Sequence, residues 1–235
     1  MGAEPHPLVR TNAWLELGAH STSPVGDLLG APVTASAVSA TTESNGAVCL
    51  AANLVDPVRG CEVLACVLAS PESTLEIGKQ MLGEASDAEA ADALAEVVNV
   101  VAGVVKAAFV TDGFTFTLGL PGRLSPGEFQ DRQGSALASA AVNLSLGEHQ
   151  FVLSYLVTET AILEMLAEDL REGYVLAQDL RLGGEPLLPS ATRLTEGTAR
   201  QIREACKGMR VKVCAPMRPW PARSANPLTL NPPSP

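Results

Sequence analysis

The segment SDAEAADALAEVVNVVAGVVKAAF, residues Ser86–Phe109, is the longest stretch of the chain with the periodicity of an amphipathic helix. Apolar side chains recur in it at spacings of three and four, which places them on one helix face; they are Leu94, Val97, Val98, Val101, Val104, Val105 and Ala108. Ser86 or Asp87 can cap its start, and Glu89 lies in the first turn. The segment predicts a long helix with one face against the core.

A second row of side chains runs along the same helix. Residues three or four apart are neighbours on a helix surface, so one stripe contains Asp92, Glu96, Asn99, Gly103 and Lys106. Asparagine is a poor helix former, and a glycine in a helix interior costs about 1 kcal/mol relative to alanine. A helix that only filled a core would gain nothing from either residue.

The stripe has two interpretations. In the first, it is a solvated face, which is the usual role of charged helical positions. In the second, the carboxylate of Glu96 and the carboxamide of Asn99 lie one turn apart and face a partner. Gly103 would then permit the close approach of that partner.

The spacing D-x-x-x-E-x-x-N-x-x-x-G, formed by Asp92, Glu96, Asn99 and Gly103, resembles the signature helix of the CheX/CheC family of chemotaxis phosphatases. The flanking sequence is similar as well, with a strand and a helix ending in Met-Leu-Gly before it and a strand running into Leu-Pro after it. The resemblance covers roughly residues 12–160. Two-site members carry a second E-x-x-N in their first helix, whereas Glu16 here is followed by alanine three residues later. The chain therefore resembles a one-site, CheX-type member.

This resemblance implies a phosphatase that removes phosphate from the phospho-aspartate of a CheY-like response regulator. It implies that Asn99 orients the attacking water and that Glu96 pairs with the active-site lysine of the regulator. Asp92, Gly103 and Lys106 would contribute to partner binding. The chain would need no cofactor or metal of its own, because the magnesium ion belongs to the receiver domain of the partner. CheX-type members also pair through sheet edges, so a homodimer is expected.

Other enzyme classes find no support in the sequence, which lacks a G-x-S-x-G elbow, a P-loop, a G-x-G-x-x-G motif and an H-E-x-x-H motif. The alternative to a phosphatase is a non-catalytic CheX-like module that docks a receiver or another signalling protein. A third class is an assembly subunit whose acidic face recruits a basic partner. Phosphate release from a phosphorylated receiver distinguishes the first class from the other two.

The predicted fold class is α+β, with helices packed on a mostly antiparallel sheet. The predicted strands are residues 33–40, 47–54, 60–68, 114–120, 137–146 and 150–158, and an Asn-Gly turn is expected to join the first two as a hairpin. Before the long helix, Leu75, Ile77, Met81 and Leu82 predict another helix that closes near Gly83. Pro24 is expected to kink or divide a helical segment at residues 12–29.

The chain is divided into a disordered lead (1–10), a CheX-like domain (11–160), a small α/β module (161–215) and a proline-rich disordered tail (216–235). Residues 162–170 are expected to be a short helix or linker. Residues 170–216 resemble a small module found beside HD-GYP signalling domains, and the order strand, turn, short strand, helix, strand is predicted there. The resemblance to this module predicts no catalytic activity for residues 170–216, because the His-Asp pair of metal ligands that defines HD domains does not accompany it.

Composition narrows the function classes further. The net charge is −10, and residues 1–170 contain 21 acidic and six basic side chains, which argues against direct nucleic-acid binding. The five cysteines form no C-x-x-C pair, and no metal-ligand spacing exists. A signal peptide is not evident, and the most apolar segment is interrupted by Asn99 and Lys106. A cytoplasmic protein without a membrane span is therefore expected.

Overall fold

The structure is a computed structural model that describes residues 8, 11–37 and 47–217. Its helices are α1 (Thr11–His20), α2 (Thr22–Leu29), α3 (Pro71–Leu82), α4 (Asp87–Val110), α5 (Pro126–Ser135) and α6 (Glu196–Ala205). Its strands are β1 (Val33–Ala37), β2 (Val48–Asp56), β3 (Cys61–Ala69), β4 (Thr117–Leu118), β5 (Gly122–Leu124), β6 (Ala138–Leu146), β7 (His149–Leu166), β8 (Val175–Leu176), β9 (Leu180–Leu182), β10 (Glu185–Leu188) and β11 (Arg210–Pro216).

Most strands of the described residues join one sheet in the order β1-β6-β7-β3-β2-β4. β5 also pairs with β2, β11 pairs with β7, and β8 pairs with β11. Every one of these pairings is antiparallel. The predicted fold class, α+β with helices on a mostly antiparallel sheet, is confirmed.

The sheet is covered on both faces, so β3 is buried along its whole length. Successive side chains of a strand point to opposite faces. In β2, Leu50, Ala52 and Leu54 join the core beneath α1, α2 and α4. Cys49 and Ala51 join a second cluster with Phe129 of α5 on the other face. The sheet is therefore the middle of three layers, and α4 lies on one side of it.

The predicted hairpin between β1 and β2 is wrong. In the described residues, β1 pairs with β6 at the far edge of the sheet, with Val33 opposite Leu146 and Ala37 opposite Val142. The Asn-Gly dipeptide itself lies outside the described residues. Helix α1 packs against both β1 and β6, and α2 also packs against β1, so these helices hold β1 beside β6. A turn motif such as Asn-Gly depends on neighbouring residues, so it cannot predict that β1 pairs with a strand more than 100 residues later in the chain.

The region after α4 also differs from the sequence prediction. Only Thr117 and Leu118 of the predicted strand at residues 114–120 form a strand, although Phe114 and Phe116 do enter the core. Helix α5 was not predicted, although Ser125 and Glu128 form a capping box at its start. Its buried side chains are Phe129 and Arg132, which are too few to produce a helical pattern of apolar residues.

Residues 162–166 belong to β7 rather than to a helix or linker, and a short 3-10 helix follows at Ala167–Asp169. The reason is again a distant partner, because β11 pairs with β7 from Leu166 to Thr160. The predicted domain boundary after residue 160 remains a prediction, and β7 runs across it without a break. In residues 170–216 the structure has three short strands, β8, β9 and β10, where the sequence predicts one strand, a turn and one short strand. The predicted helix from Thr195 to Cys206 corresponds to α6, which Thr195 caps, and the predicted closing strand corresponds to β11.

Two further expectations concern helices. Ser21 separates α1 from α2, and Pro24 lies in the first turn of α2, so the helical segment is divided as predicted. By length and composition α4 is apolar enough to cross a membrane, contrary to the expectation from its polar residues. Its buried face nevertheless packs against β2 and β3, as in the core helix of a globular protein.

Candidate functional site

Helix α4 is fixed at its start by a reciprocal capping box. The backbone N–H of Ser86 donates to Glu89 Oε2 at 2.8 Å, and the backbone N–H of Glu89 donates to Ser86 Oγ at 3.4 Å. Leu94, Val97 and Val98 are fully buried, as predicted, together with Val101 and Val105. Val104 is only half-buried, and Ala108 is exposed, so the apolar face is narrower than predicted at its end.

The structure places the five stripe residues on the outer side of α4. Asp92, Glu96 and Lys106 are exposed, and Asn99 and Gly103 are half-buried. The carboxamide of Asn99 donates from Nδ2 to Glu96 Oε2 at 3.3 Å. This hydrogen bond orients the carboxamide, so that Oδ1 remains on the other side of the group to accept a hydrogen bond from water or a partner.

Glu96 has no cationic partner among the described residues, whose ion pairs involve other carboxylates. Its exposed carboxylate is therefore available to a cation from another molecule. A group of three or more histidine, cysteine or acidic side chains that could hold a metal ion is not found in the described residues.

Gly103 has no packing role within the described part of the chain. A Cβ atom built on it meets no other atom within 4 Å, and its φ angle is not in the left-handed region. Alanine would therefore fit, and it would favour the helix by about 1 kcal/mol. The absence of a side chain leaves the backbone of α4 accessible one turn after Asn99.

A buried polar cluster on the opposite face of the sheet was missed by sequence reasoning. Arg193 forms an ion pair with Glu62 of β3, and its Nε and Nη2 each donate to Asn53 Oδ1 at 3.2 Å. Its Nη1 donates to the backbone oxygen of Gly173 at 2.7 Å. No local pattern marks this cluster, because Arg193 lies 131 residues after Glu62.

A scan against protein-family models finds no match to this chain, and a search of curated protein sequences finds no significant match. A search of solved structures does find proteins with a similar fold. The crystal structure of the CheX–CheY–BeF3–Mg complex from Borrelia burgdorferi matches at 16% identity and a TM-score of 0.49, covering 63% of this chain and 99% of the other. Chemotaxis protein CheX from Desulfovibrio desulfuricans matches at 15% identity and a TM-score of 0.45, covering 62% and 97%.

Thermotoga maritima FliY matches at 12% identity and a TM-score of 0.46, covering 66% of this chain and 92% of that protein. Chemotaxis proteins of the CheX and CheC-like kind are thus among the structural neighbours, at low sequence identity. No comparison supports the resemblance of residues 170–216 to the module beside HD-GYP domains, which stays a prediction. The roles of the five stripe residues are likewise predictions, and they depend on the geometry of α4.

Proposed function

We propose that this chain accelerates the hydrolysis of the phospho-aspartate of a CheY-like response regulator. The observation that carries the proposal is the Glu96–Asn99 pair on the outer face of α4, joined by a hydrogen bond of 3.3 Å. The partner class comes from the resemblance of the stripe to the CheX/CheC signature helix. A cytoplasmic location would bring the chain together with such regulators.

Hydrolysis of a phospho-aspartate requires few catalytic groups from the protein that accelerates it. An acyl phosphate already has a good leaving group, so a water molecule held in line with phosphorus is the main requirement. A carboxamide can hold that water, because its oxygen accepts a hydrogen bond and it has no charge to repel the phosphoryl group. The hydrogen bond to Glu96 would keep Asn99 Oδ1 directed away from the helix and toward this water.

Glu96 has a second part in the proposal. Its exposed carboxylate would pair with the active-site lysine of the receiver and so align the two proteins. The magnesium ion that neutralises the phosphoryl oxygens would be held by the receiver and not by this chain. Asp92 and Lys106 would contact the receiver at the ends of the stripe, and Gly103 would let its backbone approach closely.

The test is phosphate release from a phosphorylated receiver in the presence of the wild-type chain and of Asn99→Ala. Helix α3 offers a matched control, because Gln80 Nε2 donates to Glu76 Oε1 at 2.9 Å on an exposed surface. Gln80→Ala therefore removes a similar carboxamide–carboxylate pair from a neighbouring helix. We expect Asn99→Ala to abolish the acceleration and Gln80→Ala to preserve it.

Two results would contradict the proposal. Near-normal turnover by Asn99→Ala would mean that the stripe is a solvated face. Binding of a phosphorylated receiver without any acceleration of phosphate release would favour the non-catalytic docking module instead.

A further inference from the structure

The last part of β7, residues 161–166, forms an open edge of the sheet. Among the described residues, the pairing of β7 with β6 ends at Val157 and its pairing with β3 ends at Glu159, whereas β11 continues beside it to Leu166. Residues 161–166 therefore have a neighbouring strand on one side and, within the described part of the chain, none on the other. The N–H and C=O groups along such an edge can pair with a strand of another chain.

The hydrogen-bond pattern of β7 shows which residues direct their backbone groups to the open side. The N–H of Thr160 donates to the backbone oxygen of Gly60 at 2.8 Å, on the side of β7 away from β11. In an antiparallel ladder, alternate residues direct both N–H and C=O to the same neighbour. Ile162, Glu164 and Leu166 therefore direct their N–H and C=O groups to the open edge.

The side chains along this edge are mostly apolar and yet exposed. Ile162, Leu163 and Leu166 are 46%, 38% and 43% exposed, and Val58, in the turn between β2 and β3, is 88% exposed. Exposed edge strands are commonly protected by several charged residues or by proline, because an apolar edge favours pairing with another strand. Residues 161–166 contain one charged side chain, Glu164, and no proline.

A groove of about 450 Å³ lies beside the same edge. It is lined by the turn between β2 and β3 and by one face of β7, β8 and β11, through Pro57, Val58, Ile162, Glu164, Ala177 and Lys212. When an extended peptide adds to a sheet edge, main-chain hydrogen bonds provide affinity and pockets for alternate side chains provide specificity. The groove can receive an apolar side chain that lies opposite Ile162.

The charge of Glu164 distinguishes between the strands that could pair here. Its register partner on β11 is Lys212, and its ion pair with Arg210 is loose, at 4.0 Å between two exposed side chains. A second copy of this chain, added with Ile162 opposite Leu166, would place the two copies of Glu164 opposite each other. Like charges directly opposite destabilise a strand pair, and opposite charges stabilise it. A different chain with a basic side chain at this position would avoid the repulsion.

We propose that residues 161–166 bind an extended segment of a partner protein as an additional antiparallel strand. The segment has apolar side chains opposite Ile162 and Leu166 and a lysine or arginine opposite Glu164. The edge lies outside helix α4, so the proposal goes beyond the phosphatase activity and does not depend on it.

A labelled synthetic heptapeptide, Thr-Ile-Val-Lys-Val-Ile-Thr, tests the proposal, because it can place isoleucines opposite Ile162 and Leu166 and lysine opposite Glu164. Fluorescence anisotropy measures its binding to the full-length protein, and amide hydrogen exchange locates the site. We expect saturable binding and slower exchange of the amides of Ile162 and Glu164. A peptide with glutamate in place of the lysine should bind at least about threefold more weakly.

Two controls separate strand addition from non-specific apolar contact. The heptapeptide methylated on the backbone nitrogens of its isoleucines and lysine should not bind, because these are the N–H groups that would face the edge. Glu164→Lys should reverse the preference, so that the glutamate peptide binds more tightly than the lysine peptide. Glu148→Lys changes an exposed carboxylate in the turn before β7 and should leave the preference unchanged.

Several outcomes would overturn the proposal. They are the absence of saturable binding, equal affinity for the lysine and glutamate peptides, binding of the methylated peptide, and a preference that survives Glu164→Lys. Protection of residues 161–166 that rises with protein concentration in the absence of peptide would also overturn it, because a second copy of this chain would then occupy the edge.

Discussion

The guanidinium of Arg193 and the carboxylate of Glu62 form a buried ion pair that connects the C-terminal residues to the central sheet. Glu62 is 3% exposed, and the side chain of Arg193 is 13% exposed. Asn53 accepts two hydrogen bonds from the same guanidinium. The pair therefore fixes residues 171–195 against the face of β2 and β3 that is opposite α4.

Arg193→Met should destabilise the protein strongly, because it leaves the carboxylate of Glu62 buried without its cation. Breaking a buried pair by removing one partner costs roughly 3–5 kcal/mol. Denaturant titration measures the change, and the double variant Arg193→Met, Glu62→Leu should recover a large part of the loss. A single variant that loses less than about 1 kcal/mol would show that the pair contributes little.

Substitutions of Asn99 and Glu96 should distinguish a loss of turnover from a loss of binding to the receiver. Asn99→Ala is expected to reduce turnover while binding to a receiver carrying a beryllofluoride mimic is kept, because water positioning acts in the transition state. Glu96→Ala should weaken binding as well as turnover. Asn99→Ala should also keep the fold, since alanine is the better helix former by roughly half a kcal/mol. Equal loss of binding in both variants would argue that Asn99 is a docking residue.

Gly103→Ala should have opposite effects on stability and function. The new methyl group has open space around it, so the free energy of unfolding should rise by about 1 kcal/mol. Phosphate release should fall if the receiver approaches the helix backbone at this point. Gly134→Ala in α5 is the matched control, because it also lies in a helix and also has open space. A variant at position 103 with unchanged turnover would contradict the proposed close approach.

Stability should decrease at alkaline pH. Burial raises the pKa of the Cys61 thiol from 9.0 to about 12 and that of Cys214 to about 11, with nearby carboxylates adding to both shifts. Between pH 9 and these values, the unfolded chain loses protons that the folded chain keeps, so the free energy of unfolding falls as the pH rises. Denaturant titrations at several pH values measure the slope.

The double variant Cys61→Ala, Cys214→Ala provides the control for this pH dependence. It should reduce the slope above pH 9, and the rest of the slope comes from Cys66 and Cys206, because burial also raises the pKa of these two thiols. The substitutions also lower stability at neutral pH by removing buried volume. A wild-type protein whose stability does not change between pH 8 and pH 11 would contradict the prediction.

The oligomeric state is expected to be a homodimer formed through a sheet edge. Among the described residues, β1 pairs only with β6, so one of its edges is open, and Thr34, Ala35 and Ser36 are exposed. Light scattering should give twice the chain mass of 24.4 kDa. Ser36→Lys should weaken an edge-to-edge dimer by placing like charges near the two-fold axis. A monomer mass at tens of micromolar would contradict the expectation.

The sequence by itself determined the features that depend on near neighbours in the chain. Helix α4, its capping residue Ser86, its buried face and its polar stripe follow from a periodicity of three and four and from one capping motif. The Glu96–Asn99 pair lies one turn apart on that helix, so sequence spacing alone placed the two side chains together. The fold class follows from the short apolar runs of the main strands and from the turn residues between them.

Only the tertiary structure decided the features that depend on distant partners. β1 joins β6 because helices pack across both strands, and β7 continues to Leu166 because β11 lies beside it. Helix α5 has too few buried side chains to show a helical pattern of apolar residues. The Glu62–Arg193 ion pair joins two residues that are far apart in the sequence. Strand pairing and buried ion pairs are contacts between separate segments of the chain. The spacing of residues within one segment therefore does not determine their energies.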